Sequence, residues 1–345
     1  MAADTGIQLR YDGQRYGLWQ QVDVHMSVDD LCASVRLSAA GVRNEYTMPV
    51  TANTVIDVLA DDQLLTTVRP DSLRRSAGPR THDIHIEARS LGRELVDCQY
   101  SQTLSGLRLA EIIKRLCSTF KVPLQINAKT EIVKNFALQA ETPANAIINA
   151  VRTGNLLLYP LPDGGLVLTE PTNDKPVATI EYGQHIEHYD VVDEYRLRYS
   201  DYLVKAYDYS GAGAIHGRSK DDGITFYRPL HIIADRTGYG IGSCERRATL
   251  EHVRRLARAN RIEFALPGWI NPETGRLWAL NTQIRLVITP EDIDDVFLIG
   301  DLTFSMDDRS GKRTIMQVMR REAFAGKTSK PKSSTTGRKA RKAQS

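Results

Sequence analysis

Over the first hundred residues apolar and polar positions alternate with a period of two. Val22, Val24 and Met26 are interleaved with Asp23, His25 and Ser27, the pattern of a strand with one face buried. Ile7 to Tyr11 and Arg15 to Trp19 flank Asp12-Gly13, a hairpin turn signal. Leu31 to Leu37, Val55 to Leu59, Leu64 to Val68 and Asp83 to Arg89 read as further short strands. Such close spacing predicts a small barrel or sandwich, a barrel removing the edges an open sheet would expose. Near residue 100 the period lengthens to about 3.6 residues. Leu109, Ile112, Ile113, Leu116, Cys117 and Phe120 form one helical stripe, with Ser105 as its cap, and Thr142-Pro143 opens a second helix that buries Ile147, Ile148 and Val151. Val122 to Asn127 reads as a strand between them, and Leu156 to Tyr159 pairs with Leu166 to Thr169 across Asp163-Gly164-Gly165.

From Ile180 the strands return. Glu194 to Tyr209 is one alternating run, Gly211 to Gly223 a mobile loop, Tyr227 to Asp235 a strand, and Ser243 to Arg261 a helix with Leu250, Val253, Leu256 and Ala257 inward and its arginines outward. Asn281 to Arg321 then reads as a three-stranded meander with an upstream echo. Asn53-Thr54 matches Asn281-Thr282, Asp61-Asp62 matches the acidic turn before Val296, and Arg80-Thr81 matches Arg313-Thr314. This alignment puts Gln317 opposite Ile84, one residue out of phase with strand alternation. A duplicated β-module follows. The expected fold is mainly β with α+β parts: a first β-barrel module at 1–100, an α+β insertion at 101–176, a similar second β-barrel module at 177–325 with a helical excursion at 243–261, and a disordered basic tail at 326–345.

At 345 residues the chain can bury more than one core. Its net charge of +3 is uneven: residues 326–345 hold seven Lys or Arg and no acid, leaving 38 basic against 42 acidic residues elsewhere. The body is therefore no polyanion-binding surface, and nucleic-acid contact is not expected of it. No apolar run reaches the roughly 18 residues that span a bilayer, and Met1 to Gly6 lacks the basic and apolar regions of a signal peptide. Cys32, Cys98, Cys117 and Cys244 lie far apart with no CxxC pair, as buried thiols of a reducing compartment would.

Candidate chemistry is sparse. Gly238-Tyr239-Gly240-Ile241-Gly242 lies where a dinucleotide loop would, but Ser243 replaces the third glycine and no βαβ unit follows. Gly326-Lys327-Thr328 ends like a phosphate loop, but Arg321 stands where the earlier glycine is needed. His82 and His85, like His185 and His188, are three apart, so on a strand they point to opposite faces and cannot chelate together. Acidic doublets at Asp29-Asp30, Asp61-Asp62, Asp221-Asp222, Asp294-Asp295 and Asp307-Asp308 all fall at turns. No serine nucleophile elbow or HExxH helix is present. The expectation is a protein with no catalytic, cofactor or metal residues, in which Trp269 and Trp278 are interface candidates as well as core candidates. A peptidoglycan hydrolase using two of these carboxylates is the enzymatic alternative. A DNA contact through the basic tail is the binding alternative.

The sequence resembles the phage Mu-like baseplate hub proteins of contractile-tailed phages. Tyr227-Arg228-Pro229, Ile232-Ile233-Ala234-Asp235, Arg246-Arg247-Ala248, Arg254-Arg255-Leu256-Ala257, Gly268-Trp269, Gly275, Leu277-Trp278 and Asn281 carry the resemblance. Ser200-Asp201-Tyr202, Val204-Lys205 and Leu95-Val96-Asp97-Cys98 extend it, so that it covers about residues 5 to 325. The resemblance implies a virion structural protein assembled in the bacterial host cytoplasm. It implies a homotrimer whose six barrels adapt a sixfold tail tube to a threefold central spike. Its implied partners are that spike, the tail tube or distal tube, and other baseplate proteins, with no membrane insertion of its own.

Overall fold

In a computed structural model of the chain, residues 6–17, 19–40, 50–78, 82–208, 213–233 and 241–325 are described. The first segment folds as β1 (Ile7–Tyr11), β2 (Gln14–Tyr16), β3 (Gln21–Ser27), β4 (Ser34–Ala40), β5 (Ile56–Ala60), β6 (Gln63–Ala77) and β7 (His82–Ser90). Asp12 and Gly13 turn β1 into β2 at φ of 51° and 73°. Asp61 and Asp62, at 47° and 62°, do the same between β5 and β6, a left-handed pair that aspartate tolerates better than most residues.

A short helix, α1 (Arg93–Asp97), leads into β8 (Tyr100–Arg108), α2 (Leu109–Thr119), β9 (Leu124–Ile126), β10 (Ile132–Glu141), α3 (Pro143–Thr153), β11 (Leu157–Pro160) and β12 (Leu166–Thr169). Both sequence-predicted helices form, α3 with Thr142 as N-cap and Pro143 in its first turn. Ser105 does not cap α2. It lies within β8, opposite Asn135 of β10, and α2 starts after Arg108, whose backbone N–H donates to the Glu111 carboxylate at 3.0 Å. The apolar stripe of α2 packs with Phe136, Ile147 and Leu168 into a core of this unit's own.

The remaining strands and helix are β13 (Thr179–Glu181), β14 (Tyr189–Asp193), β15 (Asp201–Asp208), β16 (Gly213–Lys220), β17 (Pro229–Ile233), α4 (Ile241–Arg258), β18 (Asn260–Pro267), β19 (Ile270–Asn271), β20 (Arg276–Leu277), β21 (Gln283–Ile288), β22 (Ile293–Asp307) and β23 (Gly311–Met319). Two expectations change here. A 3-10 turn at Tyr195–Leu197 interrupts the run from Glu194. The glycine-rich stretch after Gly211 contains a strand, β16, paired along its whole length with β15. Its glycine has a packing reason: a Cβ on Gly217 would lie 2.1 Å from the backbone N of Glu245 in α4, so only glycine lets the helix sit this close.

Thirteen strands form one sheet, in the order β14-β18-β23-β22-β3-β4-β7-β6-β5-β1-β2, with β21 also on β22 and β13 on β21. The expected pair of barrels is not seen: among the described strands neither module closes on itself. Instead β22 pairs β3, with Thr303 opposite His25 and Phe304 opposite Val24, and a single apolar core runs through both ends of the chain.

The duplication is explicit in the pairing. The order β5-β6-β7-β4-β3 recurs as β21-β22-β23-β18-β14. Strands β6 and β22 are both 15 residues long. Each carries one bulge against its next strand, at Asp71 between Pro70 and Ser72 and at Gly300 between Ile299 and Asp301. Placing Asp71 on Gly300 superimposes Ile84 on Thr314, Ile86 on Met316, Leu37 on Phe264 and Ile56 on Ile284 by register. All eight are buried. Extended by three residues, the same register pairs Asn53 with Asn281, as the sequence echo has it. The Arg-Thr match does not hold, because Thr314 rather than Gln317 stands at the place of Ile84. The shared dipeptide misaligns the last strand, and the alternation of buried positions restores it.

Candidate functional site

The chemistry-bearing residues are dispersed and mostly tied into the fold. Nδ1 of His185 accepts the backbone N–H of Glu181 at 3.0 Å, while His188 is exposed beside Asp190 at 3.7 Å. Among the described residues no three His, Cys, Asp or Glu side chains group as metal ligands. Every acidic doublet commits at least one carboxylate. Asp61 pairs with Lys312 at 2.5 Å, Asp294 with Arg285 at 2.8 Å and Asp221 with Arg198 at 2.8 Å. Asp307 accepts the N–H groups of Arg309 and Ser310. The Arg198 hydrogen bonds hold Asp221 below its ordinary pKa despite burial. Of the cysteines, Cys117 and Cys244 are buried, but Cys32 and Cys98 are partly exposed, and all four are free thiols; burial pushes the Cys117 thiol up to about 12. Gly238, Gly240, Gly326-Lys327-Thr328 and the basic tail lie outside the described residues. No helix among the described residues is long and apolar enough to cross a membrane.

Trp269 and Trp278 are both buried. The indole N–H of Trp269 donates to the carbonyls of Ser305 and Arg313 at 3.2 and 3.1 Å, and the Lys312 ammonium sits 4.9 Å above its ring. These side chains hold β22 and β23 in place within the chain.

The sequence pattern places the arginines of α4 outward, and Arg254 departs from that most. It is 7% exposed and donates to the carbonyls of Arg152 at 2.7 Å and Phe324 at 2.9 Å. Burial lowers its pKa to about 10, which still leaves it charged near neutral pH. Beside it Arg258 reaches Asp29 at 2.8 Å and stacks 5.6 Å from the Phe324 ring, and Arg152 lies 3.5 Å from the same carboxylate. Burial raises the Asp29 carboxyl, but Arg258 outweighs it and leaves the group below its ordinary pKa. One acid on the β3–β4 turn thus ties α3 of the middle unit to α4. Spacing alone could not show this, because the three elements are about a hundred residues apart or more.

Two surfaces remain open. The sheet β16-β15-β17 packs one face on α4, burying Tyr202, Val204, Ile215 and Ala248. Its other face lines a groove of about 560 Å³ with Leu203, Lys205, His216, Tyr227 and His231, and Tyr227 and Ile233 nearby are 79% and 81% exposed. The second surface is made of strand edges. β14 ends the large sheet, and the Ser72–Ala77 half of β6 pairs only with β7 among the described residues.

Residues 93–170 match the family model of the baseplate hub protein gp44-like, second domain, and residues 242–327 match that of the Mu phage baseplate assembly protein GpP, fourth domain. One match is thus to a baseplate hub domain and the other to a baseplate assembly protein domain. The resemblance to the Mu-like hub family therefore holds, and the role is that of a baseplate hub or tail protein of phage-like contractile systems. The family is one of structural tail proteins. Its fold is shared with the 43 kDa tail protein of prophage MuSo2 from Shewanella oneidensis, at 23% identity and TM-score 0.83 over 92% of this chain and 99% of that one. The tail protein from Neisseria meningitidis MC58 is similar at 18% identity and TM-score 0.82 over 93% and 98%. The E. coli c3393 protein, a type VI secretion component with structural similarity to the T4 tail proteins gp27 and gp5, is more distant, at 7% identity and TM-score 0.59 over 90% and 76%. No curated protein matches the chain by sequence.

Proposed function

We propose that this hub protein works as a structural adaptor: three chains close a ring whose six repeats face a sixfold tail tube while its threefold symmetry holds a trimeric central spike. The observation that carries the reading is the repeat itself. Two copies of one five-strand order, with the bulge at the same place, give each chain two near-equivalent units, and three such chains supply six. The likeness to a secretion component that itself resembles gp27 and gp5 supports the same reading. Tail tube or distal tube proteins and other baseplate proteins are the further partners, in a virion tail assembled in the host cytoplasm. The groove on the β16-β15-β17 sheet, with its exposed Tyr227, is a surface available to them.

The reading is non-enzymatic. The carboxylates a glycosidase would need are instead spent on Arg198, Arg258, Arg285 and Lys312. Mass photometry of the purified chain should give three times its 38.6 kDa mass. A particle that stays monomeric at micromolar concentration, with or without spike protein, rejects the ring. Zymography on peptidoglycan should show no clearing, and lysis abolished by a single carboxylate substitution would replace this reading with an enzymatic one.

A further inference from the structure

The repeat assigns one strand slot in each module, and among the described residues only one of the two is filled. On β22 the slot begins where β21 ends: β21 reaches Leu298, and from Asp301 to Met306 the edge is taken by β3. On β6 the equivalent slot begins where β5 ends, at Val68, and runs from Ser72 to Ala77. Among the described residues no strand lies there. The strand equivalent to β3 is β14, since Tyr189 faces Phe264 as Val22 faces Leu37. Among the described strands it lies at one end of the sheet, with β2 at the other. We infer that β14 of one chain pairs antiparallel with Ser72–Ala77 of the next, as β3 pairs with β22 inside each chain. The inference rests on the ring reading and specifies its seam.

The register follows from the internal copy. Ser305 faces Asp23, Phe304 faces Val24 and Thr303 faces His25. Transferred through the two equivalences, Ser76 faces Asp190, Arg75 faces Val191 and Arg74 faces Val192. The side chains suit this placement. Val24 is fully buried under β22, whereas Val191, at its equivalent position, is 40% exposed in the single chain and would be covered by the neighbour. Charge agrees as well. Arg74 stands diagonal to Asp190, so a basic position on one edge meets an acidic one on the other. An unlike-charge seam of this kind also prevents β14 edges or β6 edges from pairing with themselves. The contact is head to tail, the type that closes rings when the rotation fits.

Directly opposed residues of an antiparallel pair have Cα atoms about 4.5–5.5 Å apart, within disulfide range. The full chain carrying Ser76→Cys and Asp190→Cys should therefore oxidise to covalent dimers and trimers on a non-reducing gel. Ser72→Cys with Asp190→Cys, four positions out of register, should behave like the unsubstituted chain with its own four cysteines. Ser305→Cys with Asp23→Cys, the internal equivalent, should close within one chain and serve as the geometric control. Arg74→Glu should weaken association about tenfold, and adding Asp190→Arg should recover most of that loss. A trimer by mass photometry that cross-links only in the shifted pair, or in neither, overturns this strand pairing and leaves the ring standing. A chain that never associates overturns both.

Discussion

The two repeats share a strand order and a bulge position, yet they meet different neighbours. In the second, β22 is covered along its far half by β3, and Leu302, Phe304 and Met306 are buried there. In the first, the equivalent positions of β6 are Leu73, Arg75 and Ala77, half-buried or exposed. The strands that begin each repeat differ in the same sense: Val24 of β3 is sealed, and Val191 of β14 is open. The slot before β5 also differs. There β1 runs antiparallel to β5, with Leu9 opposite Val58, while β13 lies parallel to β21 with Ile180 opposite Leu286. Both strands bury an apolar residue at the same place from opposite chain directions. Side-chain burial is therefore what duplication retained, and it constrains connectivity less strictly.

The sharpest test of this asymmetry is a pair of truncations. Phe304→Ala should cost about 3–5 kcal/mol, since it empties a fully buried site in the seam. Arg75→Ala at the equivalent, exposed position should lower the urea midpoint of the isolated chain far less. Equal losses from both would mean that the open edge is already covered within the chain.

The three-way junction should come next in size. Arg254→Leu removes the buried guanidinium's hydrogen bonds to the carbonyls of Arg152 and Phe324, a loss of about 2–4 kcal/mol by urea unfolding. A neutral result would show that the α3–α4 contact is held by apolar packing alone.

Asp221, in the excursion that the first repeat lacks, should follow. Its folded pKa is depressed by the Arg198 hydrogen bonds, so its stabilisation is complete above the ordinary carboxylate value and is lost as pH falls through the lower, folded one. Asp221→Asn should cost about 1–3 kcal/mol at neutral pH and flatten the acid side of the stability profile. Asp23 and Asp301, in the β3–β22 seam, are raised by burial. They oppose this trend, each favouring the folded state more as pH falls from above its folded pKa to below the ordinary value. Measuring midpoints between about pH 3 and pH 6 separates the two contributions.

The smallest effect belongs to the cross-strand bond between Thr303 and His25, at 3.0 Å. Thr303→Ala should cost about 0.5–1.5 kcal/mol by the same assay. Arg74→Ala, at the equivalent position on the open edge, should cost the lone chain nothing measurable.

Much of this was legible in the residues. The period change near residue 100 marked both middle helices, since Ile112, Ile113 and Leu116 have no alternative but one helical face. The meander and its Asn53 to Asn281 echo were readable from turns and alternation. The Gly211 to Gly223 stretch misled because Gly217 signals close packing against α4, which looks in sequence like loop composition. In sequence Arg254 looks like a surface charge because its partners are the carbonyls of Arg152 and Phe324, and backbone acceptors leave no mark on a sequence. The open edges had no signal either, as an edge is defined only by which strand is missing beside it.

What the sequence determined by itself was local: which segments are strands or helices, where the turns fall, and that one β-pattern occurs twice. These follow from side-chain period and backbone preference within a few residues. Tertiary structure decided that β3 docks on β22, that two modules share one sheet, and that among the described strands none lies on the outer edge of β14 or beside the end of β6. Pairing between strands hundreds of residues apart depends on which buried faces fit together, and many registers satisfy the same alternation. The Asn281 to Met319 meander was visible from its own residues, but the slot beside it, which among the described residues is filled in one repeat only, exists only in the assembled sheet.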